Sequence, residues 1–96
     1  PSPKSKSSLR GQIDALETSV ELLADVSDIE TSTRYLKRDS YAWLGDLRYV
    51  LALKLNSKKD QAERELLLRL AIIDYEISLS HSLEFVPTIK LMWNMA

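Results

Sequence analysis

The chain has 96 residues and a formal net charge of -1, from 13 lysine and arginine against 14 aspartate and glutamate side chains. That is room for one domain with its own core, and the near balance of charge speaks against a DNA-wrapping or polybasic membrane protein. With no cysteine, disulfide frameworks, thiol nucleophiles and thiolate metal sites drop out together, while 2 glycines and 3 prolines are too few for a fold rich in tight β-turns.

The chain opens Pro1-Ser2-Pro3 without an initiator methionine, and we expect a piece of a longer or processed protein. Residues 1–8 hold no apolar side chain beyond the prolines, which predicts a flexible basic tail ahead of a domain over residues 9–96. Ser2 lies in a Ser-Pro-Lys setting that suits proline-directed phosphorylation, which would add negative charge beside Lys4 and Lys6. From Leu9 the pattern changes. Leu9, Ile13, Leu16, Val20 and Leu23 step by three and four and form one stripe of a helix, with Ser8 as its natural N-cap. This helix should stop near Asp25 to Ser27.

Ser27-Asp28-Ile29-Glu30 has the form of a capping box, so a second helix is expected from Asp28 towards Leu55, with a break conceivable at Asp39-Ser40. Its stripe is Leu44, Leu47, Leu51 and Leu55, widened by Trp43, Val50 and Leu53. Gly45 inside it would let another helix come close, because it has no side chain to hold one off. The polar run Asn56-Ser57-Lys58-Lys59-Asp60 marks the next break. Asn56 suits a left-handed helix end and Ser57 suits a cap.

The third helix is expected from about Lys58 to His81. It carries two stripes: Ala62, Leu66, Leu70, Ile73 and Ile77, and then Leu68, Ile72, Tyr75 and Leu79. An outer helix of a bundle needs one. The second must meet either residues 83–96 of the same chain or a partner. Pro87 ends the pattern, and Ile89, Met92 and Trp93 give residues 87–95 the face of a short fourth helix. The expected fold is therefore all-α: an antiparallel three-helix bundle with a short C-terminal fourth helical segment.

Catalytic chemistry has little to stand on. His81 is the only histidine, too few for a zinc site or a triad, and its place in Ser80-His81-Ser82 suits a polar residue in a last helical turn. The acid pair Asp25 with Asp28 spans the expected helix break, Glu63 and Glu65 do not share a face, and no calcium loop or glycine-rich phosphate cradle is present. We expect no catalytic, metal-binding or cofactor-binding residues and no enzyme activity.

What remains is a protein–protein interaction module, an adaptor or oligomerisation domain that holds an amphipathic helix or a second copy. Its expected contact residues are Leu68, Ile72, Tyr75, Leu79, Met92 and Trp93. Arg34, Lys37 and Arg38 share a face of the second helix and would steer an acidic partner. The same cations, with Tyr35 and Tyr41 nearby, offer the alternative of nucleic-acid binding, against which Glu30 and Asp39 reduce the local field. No apolar run approaches the roughly 18 residues of a membrane span. We expect an intracellular protein, nuclear or cytoplasmic, with the Lys/Ser/Pro tail tilting towards the nucleus.

Overall fold

A computed structural model describes residues 5–27 and 29–81. Within them the chain is all-helical, with three helices. The first, α1, spans Lys6–Ala24; the second, α2, spans Thr31–Lys54; a single 3-10 turn at Lys58–Asp60 leads into α3, Gln61–Ser80. The expected fourth segment at residues 87–95 lies outside the described residues, as do Met92 and Trp93.

Helix α1 buries the stripe its spacing dictates: Leu9, Ile13, Leu16 and Val20. It starts at Lys6 and not at Leu9, because Ser5 supplies the capping oxygen: its hydroxyl accepts from the Ser8 amide at 3.1 Å. Apolar periodicity cannot register that first turn, since it holds no apolar side chain. The capping box is not formed either. The Ser27 hydroxyl accepts from the Ile29 amide two residues on, and α2 begins at Thr31 with no side-chain cap bond.

Helix α2 runs unbroken through Asp39 and Ser40. Asp39 is held by Arg38 at 2.9 Å and Ser40 is buried, so the side chains of both stay within the helix surface. Its end does not use a left-handed residue, since no described non-glycine residue has positive φ. Instead the guanidinium of Arg64 reaches back to the Leu55 carbonyl at 3.0 Å and satisfies one of the carbonyls that a helix end leaves without a partner.

Helix α2 is the middle layer. Antiparallel α1 covers one side of it, with Lys37 Nζ donating to the Val26 carbonyl at 2.6 Å at the loop end. Antiparallel α3 covers the other, with the Ser78 hydroxyl donating to the Arg38 carbonyl at 2.7 Å. The core cluster joins Leu9, Ile13, Leu16 and Val20 to Leu44, Leu47, Leu51, Ala52, Leu55 and Leu67. Trp43, Val50 and Leu53 were expected to widen the α2 stripe inward. All three are exposed, Trp43 at 55%.

The largest departure is in α3. Neither of its two stripes is the packing face. The residues buried against α2 are Leu67, Ala71, Asp74 and Ser78. The reason is the size of the side chains at the seam. Gly45 and Ala52 of α2 meet a helix whose inward positions are Ala71 and Ser78, and small residues let two backbones approach. The Tyr75 ring lies against Gly45, where a Cβ would sit 3.0 Å from its Cε1.

Candidate interaction surface

Packing α3 through Leu67, Ala71, Asp74 and Ser78 turns its large apolar residues outward. Leu66 is 55% exposed and Ile73 48%, with Leu70 and Ile77 half-buried between them. These four step by four, three and four along one edge of the helix. On the other edge Ile72 is 57% and Leu79 63% exposed. Surface apolar residues scattered singly are ordinary, but rows at helical spacing form a continuous surface.

The expected contact residues divide. Ile72 and Leu79 are outward-facing. Leu68 is half-buried against the core, and Tyr75 is half-buried in the α2–α3 seam, where its hydroxyl donates to Asp46. Burial first, and then that hydrogen bond, push the Tyr75 phenol up to about 12. Leu66 and Ile73 belong to the stripe read as core from spacing alone. Asp74 was the available signal, because a carboxylate on the inward face implies a buried cation opposite.

That cation is Arg48. Its Nη1 reaches both Asp74 oxygens, at 2.9 and 2.8 Å, and its Nη2 lies 3.2 Å from Glu17 of α1. One guanidinium thus ties all three helices together. Burial pushes the Asp74 carboxyl above its ordinary value, against the pull of Arg48. At the surface, Arg10 of α1 bonds Glu63 of α3, which lowers the Glu63 carboxyl.

The three expected steering cations are placed differently from one another. Lys37 is buried, and its ammonium is aimed at the Val26 carbonyl. Arg38 pairs with Asp39 and lies over the Tyr35 ring, 4.6 Å from its centroid. Arg34 is half-buried and donates to the Thr31 hydroxyl at 3.3 Å. His81 caps α3, and its ring stacks on Tyr41 at 6.3 Å. Among the described residues no group of three or more acidic, histidine or cysteine side chains is placed to hold a metal ion, and no helix is long and apolar enough to cross a membrane.

Among the described residues the apolar edges of α3 are thus left exposed, alongside Leu36, Trp43 and Leu53 of α2. Comparison with protein-family models, with curated proteins and with solved structures gave no match.

Proposed function

We propose that this chain is a non-catalytic helical module that binds another protein, acting as an adaptor or oligomerisation domain inside the cell, where its Lys/Ser/Pro tail suits the nucleus. One observation carries this. Helix α3 buries a small and polar face, Ala71, Asp74 and Ser78, and leaves Leu66, Ile72, Ile73 and Leu79 facing out. A helix whose better apolar faces point outward supports a role in which a partner's apolar groups cover them. The partner is then a second copy or an amphipathic helix, whose burial of apolar area supplies the affinity.

Ile72 and Leu79 are the residues to test, because they contribute to the surface and not to the seam. Tyr75 is unsuitable, since its loss would disturb the packing on Gly45. Ile72→Asp and Leu79→Asp should keep the helical circular dichroism of the parent and lose partner capture. Capture that survives both substitutions counts against an interaction role for this face. Nucleic-acid binding has less support, since Lys37 is turned inward and Arg38 is paired with Asp39.

A further inference from the structure

We infer that the Leu66–Leu70–Ile73–Ile77 edge of α3 is a self-complementary seam that pairs, antiparallel and about a two-fold axis, with the same edge of a second copy. This rests on the interaction-module reading and names its partner. The steps of four, three and four are those of a coiled-coil seam. In an antiparallel two-fold pair each contact occurs twice, so the seam must be complementary to its own reverse. Setting Leu66 against Ile77 of the second copy places Leu70 against its Ile73, and every layer is apolar.

The charges beside the seam choose the direction. On the border towards α1, Glu63 is bonded to Arg10 and Asp74 to Arg48, so those acids are already matched within the chain. On the other border stand Arg69 and Glu76, both exposed, and neither makes an ion pair with another described residue. They lie two helical turns apart on the same side of the seam. In the antiparallel register Arg69 falls beside Glu76 of the second copy, and Glu76 beside its Arg69. In a parallel pairing the Arg69 and Glu76 borders of the two copies would fall on opposite sides of the seam, so neither residue would meet its opposite charge.

The experiment is the solution mass of the full 96-residue chain over a concentration series, by light scattering or sedimentation equilibrium. The parent chain is expected to be a dimer in exchange with monomer. Arg69→Glu alone, or Glu76→Arg alone, turns two attractions into two repulsions and should weaken the dimer about tenfold. The double variant Arg69→Glu with Glu76→Arg should restore it. Because the chain has no cysteine, single introduced cysteines read the register. Ile73→Cys, near the axis, should form an oxidised dimer, and Ala62→Cys, far from it, should not.

A chain that is monomeric at every concentration overturns the inference, as does a dimer indifferent to the single reversals or one cross-linked through Ala62→Cys. A monomer that still binds an amphipathic helix through Ile72 and Leu79 overturns the pairing alone. A monomer with no binding that depends on those residues overturns the interaction-module reading with it.

Discussion

At the scale of single residues, the α2–α3 seam depends on one glycine and one buried charge pair. Gly45 accommodates the Tyr75 ring, and a branched side chain there has no space. Gly45→Val is expected to displace Tyr75, break its bond to Asp46 and cost about 2 kcal/mol, read from urea unfolding. Arg48 is held by Asp74 and Glu17, and Asp74 is 3% exposed. A raised native pKa means that the contribution of Asp74 is favourable below the ordinary carboxyl range and is lost as pH rises through its native value. Arg48→Met leaves the buried carboxylate without its cation and should cost about 3 kcal/mol near neutral pH. At acid pH, below the raised value of Asp74, the carboxyl is protonated and the loss should shrink. An equal loss at both pH values would mean that packing of the arginine stem, and not charge, is what the variant removes. Asp74→Leu on top of Arg48→Met should recover most of the stability.

At the scale of elements, the three helices differ in how they are held. Helix α1 is an ordinary amphipathic helix with a serine cap, and Ser5→Ala should cost about 1 kcal/mol in thermal or urea unfolding. Helix α2 closes with the Leu55 amide donating to the Ala52 carbonyl at 3.1 Å, and Arg64 of the next helix adds a bond to the Leu55 carbonyl. Helix α3 contributes only Leu67 and Ala71 as buried apolar residues, and its hold on α2 comes as much from the Asp74 and Ser78 bonds as from apolar area. Polar bonds of this kind fix register closely, because a slip of one residue leaves a buried donor or acceptor without a partner. Their net contribution is modest, so α3 is expected to show the least hydrogen-exchange protection of the three helices in dilute solution.

At the scale of the whole molecule, the proposed pairing of α3 edges would link stability to assembly. If the Leu66–Ile77 edge is covered by a second copy, the folded dimer is favoured by mass action. The thermal midpoint should then rise with protein concentration. Arg69→Glu should flatten that dependence, and the double charge swap should bring it back. Trp43, exposed in a groove beside Gln12, Ala15 and Ser19 of α1, is not part of this seam, and Trp43→Ala should leave the concentration dependence unchanged.

Much of this molecule was legible in the sequence. The all-helical class, the three helices and the α1 stripe follow from spacing and from the scarcity of glycine and proline. The polar break at residues 56–60 and the close approach at Gly45 can be read in the same way. Periodicity reports which residues share a face, and it does so from chain geometry alone. It does not report which face wins. In α3 two apolar stripes competed for burial, and neither was taken whole, with only Leu68 and Tyr75 of the second half-buried. The seam was decided by the Tyr75 ring on Gly45, by Ser78 on the Arg38 carbonyl and by Arg48 opposite Asp74, pairings that exist only once two distant stretches lie side by side. The helix ends near Asp25, Leu55 and His81 were legible, but the starts of α1 and α2 were not, because the first turns at Lys6 and Thr31 hold no apolar pattern to mark them.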